Sequence, residues 1–213
     1  ELLKITFGIW DHIKNHGSHE AENWELDWVG FLPGKRESRR YIGLHILTEK
    51  EILNPVEFPD VCAYGGWPID DHHPQAFYYN GPPNLYFKLS APYWIPARSL
   101  CSRNIPNLLF AGRNISASHV AISSTRVMST CATLGQAAGT LAVLALNENR
   151  TLDSVCLECG EAVRQILLDD GCFIPGFRRE IPEPFRSARI TASTGDPKEL
   201  RSGFDRAVGT DGN

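Results

Sequence analysis

The sequence predicts an α/β fold, and three observations carry that reading. Residues 107–112, with Leu108, Leu109 and Phe110 ahead of Gly112, form a short apolar run ending at glycine. That suits a buried parallel strand closed by a tight turn. A polar loop and a long apolar helix follow it, the order of a strand–loop–helix unit. The composition agrees: 42% of the 213 residues are hydrophobic, including 10 Phe, 6 Tyr and 5 Trp, enough for a sizeable core. The 14 Pro and 18 Gly impose too many turns for a helical bundle.

Charge and cysteine content narrow the function. A net charge of −4 and a pI near 6.0 give no basic footprint for nucleic acid. No polybasic run points to an anionic membrane surface. The 6 Cys are scattered along too long a chain for a disulfide scaffold. They fit a reducing, cytoplasmic compartment slightly better than a periplasmic or secreted one. Cys156 and Cys159 form one CxxC without the second pair a structural zinc site needs. Two cysteines on a helical face is the simpler reading. The chain opens Glu1-Leu2-Leu3-Lys4-Ile5 with no signal peptide, which reads as an interior start.

In chain order, an irregular aromatic stretch comes first, with Trp10, Trp24 and Trp28 and a polar segment holding His12, His16 and His19. Those imidazoles are a metal site or, more simply, solvated loop residues. Pro33-Gly34 marks a turn, and Lys35, Arg36, Arg39 and Arg40 form a surface charge run or an anion-binding cluster. Residues 49–53 read as a short helix begun by Thr48 and ended before Pro55. Gly65-Gly66-Trp67-Pro68-Ile69-Asp70-Asp71-His72-His73-Pro74 is a stiff polar loop suited to acid–base or metal chemistry. Residues 85–90 alternate like a strand, and residues 93–96 are held extended by Pro96, with Arg98 directly after. The long helix is expected over residues 124–147, capped by Ser123 or Ser124. Its stripe is Val127, Cys131, Leu134, Ala138, Leu141 and Ala145.

Residues 127–146 carry no charge and could span a bilayer, and Gly135 and Gly139 have GxxxG spacing. Ser129, Thr130, Thr133, Gln136 and Thr140 weaken that reading. A helix buried in a large soluble domain, pressing on a sheet or cofactor, fits better. A second helix is expected over residues 152–169. Beyond Pro175 the chain reads as a linker, with residues 189–193 opening another module.

A strand, a polar loop and a free helix N-terminus together make an anion site, because the first N–H groups are unpaired and the dipole adds partial positive charge. In a flavoprotein such an end faces the pyrophosphate and ribityl chain, or the N1/O2 edge of the flavin. Here the residues themselves resemble the FAD-dependent oxidoreductase family. One block is Leu32-Pro33-Gly34-Lys35-Arg36-Glu37-Ser38-Arg39-Arg40-Tyr41, and a second is Gly65-Gly66-Trp67-Pro68-Ile69-Asp70-Asp71-His72. Ile95-Pro96-Ala97-Arg98-Ser99-Leu100 is similar to a third. The fourth runs from Asn107 through Gly112-Arg113, Ser116, Ser118-His119 and Ser124-Thr125-Arg126-Val127-Met128, ending at Gly135-Gln136-Ala137-Ala138-Gly139. The blocks stand in the family's order over roughly residues 25–180.

The resemblance implies a partial FAD/NAD(P)-binding domain, three-layered and Rossmann-like, with a mixed α+β substrate domain. Residues 1–105 would be the substrate portion and residues 106–180 the C-terminal part of the FAD domain. Residues 181–213 would be a linker and the start of a further module. The family opens with a GxGxxG loop that this sequence lacks, so an N-terminal half of the same protein is the expected partner, with a small polar substrate. Where the family often has Asp after Gly43, this chain has Leu44. The implied reaction is hydride transfer between that substrate and FAD, with no metal. His72 and Asp70 are the expected proton-transfer residues. Arg39 and Arg98, with Arg36, would bind the substrate. Gly112, Arg113, Ser116, Ser118 and His119 would lie beside FAD, and Arg126, Val127 and Met128 against the flavin. Two alternatives stand beside this: a non-catalytic carbohydrate- or protein-binding module presenting Trp24, Trp28, Trp67 and Trp94, and a metal-dependent hydrolase built on Asp70, Asp71, His72 and His73.

Overall fold

The computed structural model describes residues 1–32, 34 and 39–206; Lys35, Arg36, Glu37 and Ser38 lie outside them. The chain divides into two units, Glu1–Ser38 and Arg39–Asn213. In the first, α1 (Leu2–Asp11) runs into a π-helical turn, His12–His16. Lys14 Nζ donates to the carbonyls of Ala21, Glu22 and Trp24 at 3.0, 2.7 and 2.8 Å. The three histidines of this segment part ways: His16 Nε2 lies 3.3 Å from Asp11 Oδ2, while the His12 and His19 rings meet edge to face.

The second unit is built on a two-stranded antiparallel ribbon. β1 (Val61–Gly65) pairs with β4 (Tyr93–Pro96), and β2 (Ile69–Asp71) pairs with β3 (Leu85–Phe87). The second pair is nested inside the first. Between the two lie Gly66-Trp67-Pro68 on one side and residues 88–92 on the other. Pro68 and Pro92 have no N–H to give to a ladder, which accounts for the interruption. Gly65 faces Tyr93 in register, and a Cβ there would run into the Tyr93 ring, so a side chain at 65 and the buried phenol exclude each other.

Around the ribbon, short segments bond in single bridges: Gly43 with Ser102, Leu47 with Ala117, and Cys101 with Leu109. Residues 107–112 therefore differ from expectation. Phe110 N donates to the Leu100 carbonyl at 2.7 Å and Ser102 N to that of Leu108 at 3.0 Å, an antiparallel return rather than a parallel strand. Phe110 is buried and Leu108 is exposed, because the run is bonded to residues 100–102. The turn at Gly112 is as expected, with φ at +101°, where a side chain would be strained.

α2 (Glu49–Leu53) forms as expected, with the Glu51 carboxylate accepting from Thr48 N at 2.8 Å. The expected 124–147 helix is two helices, α3 (His119–Thr125) and α4 (Met128–Asn147). The cap is Ser118, whose Oγ accepts from Ala121 N. Val127 turns extended, with ψ at 140°, and starts α4 afresh. α4 lies on β1, burying Leu134, Ala138, Leu141 and Ala145 of the expected stripe together with Thr130 and Ala137. Its length and apolarity suffice to cross a membrane. It is nonetheless buried along one face only, since Val143 and Leu146 are exposed.

The second expected helix also breaks, into α5 (Leu152–Glu158) and α6 (Gly160–Asp169). At Gly160 a Cβ would stand 2.7 Å from the Pro59 carbonyl oxygen and 2.9 Å from Asp60 Cα, so glycine permits this backbone approach. Beyond it, α7 (Glu183–Ser187) is a single exposed turn, and residues 189–193 form no strand.

Candidate functional site

Gly66 and Trp67, in the gap of the ribbon, face the start of α4 across a cavity of about 240 Å³. Tyr64, Val127, Ser129, Thr130 and Thr133 complete its lining. The first hydrogen bond of α4 runs from Cys131 N to the Val127 carbonyl at 2.9 Å. The N–H groups before it have no intrahelical acceptor and add to the positive end of a 20-residue helix. Gly112 sits beside the same helix, its missing Cβ 3.7 Å from Cys131 Cβ. Burial raises the Cys131 thiol, and nearby Arg113 opposes that rise.

A buried hydroxyl chain fixes the lip of the cavity. Tyr93 Oη is 2.7 Å from Ser124 Oγ, which in turn donates to the Trp67 carbonyl. Burial pushes the Tyr93 phenol far up, with the Ser124 bond opposing, so it stays neutral and structural.

One residue away on α3, Ser123 Oγ reaches Asp71 Oδ1 at 3.3 Å, and His119 Nε2 approaches the same oxygen at 3.1 Å. The Asp71 side chain is 18% exposed and that of His119 is 49% exposed. A partly buried carboxylate thus orients an imidazole that solvent or a ligand can reach. Alternation along β2 explains the pairing. Asp71 shares a face with buried Ile69, toward α3, whereas Asp70 points the other way. Asp70 Oδ1 instead accepts from Asn84 Nδ2 at 2.7 Å, and Arg126 Nη2 donates to the Asp70 carbonyl at 2.8 Å.

The remaining sequence-predicted residues take other places. His72 is exposed, with Nδ1 3.2 Å from the Pro83 carbonyl. His73 stacks on Tyr79. His72 N donates to Asp71 Oδ1 at 3.0 Å, and among the described residues Asp70, Asp71, His72 and His73 form no group that could hold a metal ion as a metal-dependent hydrolase needs. Arg98 is bound to Asp60: Nε and Nη2 donate to the two carboxylate oxygens at 3.0 Å each, and Arg98 N donates at 2.9 Å. The Asp60 side chain has no exposure. Ser118 Oγ donates to Glu49 Oε2 at 2.8 Å as well as capping α3. Ser116 is fully buried beside Gly43, and its N–H donates to the Ser99 carbonyl. Arg39 and Met128 are exposed, and Val127 lines the cavity. Sequence reasoning missed Asp71 as the partner of His119 and Tyr93 as the support of Trp67. Strand alternation from Ile69 was the signal for the first.

The cavity and the Asp71–His119 pair are the candidate site features of this unit. The family model described as FAD dependent oxidoreductase matches residues 1–167, and the chain belongs to that family. It is accordingly a flavoprotein with FAD as cofactor, a redox function and the Rossmann-like, mixed α/β fold that the family implies. Neither the curated proteins nor the solved structures include a match. The residues at the start of α4 fit the cofactor: Ser129, Thr130 and unpaired N–H groups suit the acceptor edge of a flavin, and Val127 and Trp67 suit its apolar ring.

Proposed function

We propose that this chain supplies the flavin-facing and proton-handling part of an FAD-dependent oxidoreductase that transfers a hydride between a small polar substrate and FAD. The observation that carries the reading is the cavity at the start of α4, with the Asp71–His119 pair at the start of α3, the helix that precedes α4 in the chain. FAD, when bound, supplies the two-electron chemistry at N5. Ser129, Thr130 and the first N–H groups of α4 hold its ring edge. Gly112 and Arg113 take the ribityl and pyrophosphate side, and the Gly66-Trp67 lip excludes water.

His119 takes or gives the proton that accompanies the hydride, and Asp71 holds the imidazole in place. That role replaces the one expected of His72 and Asp70. Arg98 positions the backbone near Asp60, and Arg39 remains the substrate-binding candidate. Apart from the Gly66-Trp67 lip, residues 1–105 serve the substrate side and residues 106–180 the cofactor side. The adenosine half of FAD falls to a glycine-rich loop elsewhere in the same protein.

The test is anaerobic bleaching of the flavin band by a panel of small alcohols, polyols and amines. His119→Gln is expected to slow bleaching by about 100-fold with flavin content unchanged. Equal rates in the variant would refute the proton-handling role.

A further inference from the structure

Cys101 and Cys156 are 55 positions apart in sequence, yet their sulfurs stand 3.2 Å from each other. That is about 1 Å longer than a disulfide bond. Both side chains are buried, each with 1% exposure. Cys101 sits on the segment bridged to Leu109, and Cys156 lies on α5. Three of the other four cysteines have contacts elsewhere, Cys131 Sγ with the Thr125 carbonyl at 3.7 Å among them. Cys62 Sγ donates to the Ile95 carbonyl at 3.6 Å, and Cys159, the CxxC neighbour of Cys156, sits 3.6 Å from Arg150 Nη1. The structure therefore pairs Cys156 across the fold rather than with Cys159.

We infer that Cys101 and Cys156 are a latent disulfide, a redox-closed staple between α5 and the segment that follows Arg98. In the closing step both S–H bonds break and one S–S bond forms. Two electrons and two protons pass to a small-molecule disulfide of the glutathione class, whose own S–S bond breaks to give two thiols. The Cys156 thiol is held far up, chiefly by its bond with Cys101 and then by burial. It is therefore a poor nucleophile while the core is shut. The staple closes during folding or local opening, and once closed it is shielded from reductants.

To test this, the reduced chain is exposed to oxidised glutathione in buffer and in urea below the unfolding midpoint. Free thiols are then alkylated under denaturation and the peptides are mapped without reduction. The expected result is a Cys101–Cys156 linked peptide and a Tm raised by roughly 5–15 °C over the reduced form. Cys159→Ser retains both, and Cys156→Ser loses both. If Cys156→Ser does not fold, the map of the unaltered chain still decides. Alkylation of both Cys101 and Cys156 under both conditions, or a link from either to Cys62, would overturn the inference.

Discussion

Replacing Asp60 by Asn is expected to remove about 3 kcal/mol of folding stability. The carboxylate is fully buried and accepts three bonds from Arg98, one of them from the backbone. The substitution keeps the shape of the side chain but deletes the charge and turns an amide donor toward a guanidinium. Breaking one partner of a buried ion pair typically costs 3–5 kcal/mol. The lower end applies here because the Arg98 side chain is 25% exposed and regains some water. For a chain of this size the loss corresponds to a fall in Tm of roughly 6–12 °C. Urea unfolding measures it directly, with the slope unchanged and the midpoint lowered. Arg98→Lys, which cannot match both oxygens, should lose part of the same stability and leave substrate KM unchanged. A loss below about 1 kcal/mol for Asp60→Asn, or a raised KM with full stability for Arg98→Lys, would refute the assignment of Arg98 to the fold.

Three further outcomes are expected. Asp71→Asn should lower turnover by about 10-fold while FAD content and Tm hold, measured by flavin absorbance and scanning calorimetry, because the charge that holds His119 is lost while the amide oxygen can still accept from Ser123 Oγ and His72 N. Gly65→Ala should destabilise by about 2 kcal/mol, since the new methyl meets the buried Tyr93 ring; Tyr93→Phe, which keeps that ring, should cost less in the same urea assay. The Glu49 carboxyl is held below its usual range, first by its own backbone N–H and then by the Ser118 hydroxyl, with burial opposing and Lys50 adding a little. A value lower in the folded than in the unfolded chain contributes stability above the unfolded value, and that contribution is lost as pH falls through the folded one. Acid titration of stability should therefore fall less steeply in Ser118→Ala.

Local signals were legible where one residue decides the conformation. Thr48 and Pro55 gave α2, Gly112 gave the turn, and the spacing of Leu134, Ala138, Leu141 and Ala145 gave the buried face of α4. What the sequence hid depends on contacts between distant residues. The break at Val127 follows from packing, since nothing in Ser124 to Met128 forbids a helix. Residues 107–112 look like a strand buried on both sides, yet their partner is the antiparallel segment just before them. The family motifs pointed to Gly112 and the residues after it as the proposed cofactor end. Choosing between Asp70 and Asp71 needed the strand register, and that is set by pairing with Leu85 and Phe87.

Whether the start of α4 faces the flavin, as proposed, is decided by Ser129→Asp. Ser129 is exposed in the first turn of α4 and lines the cavity. An aspartate there complements the helix dipole, so the fold itself should gain about 0.3–1 kcal/mol. The same charge beside the reduced, electron-rich flavin should cost about 1–2 kcal/mol, which lowers its two-electron midpoint potential by roughly 20–40 mV. A more stable protein with a more negative flavin potential is the predicted pair of results. A potential unchanged from that of the unaltered protein would place the flavin elsewhere and contradict the account.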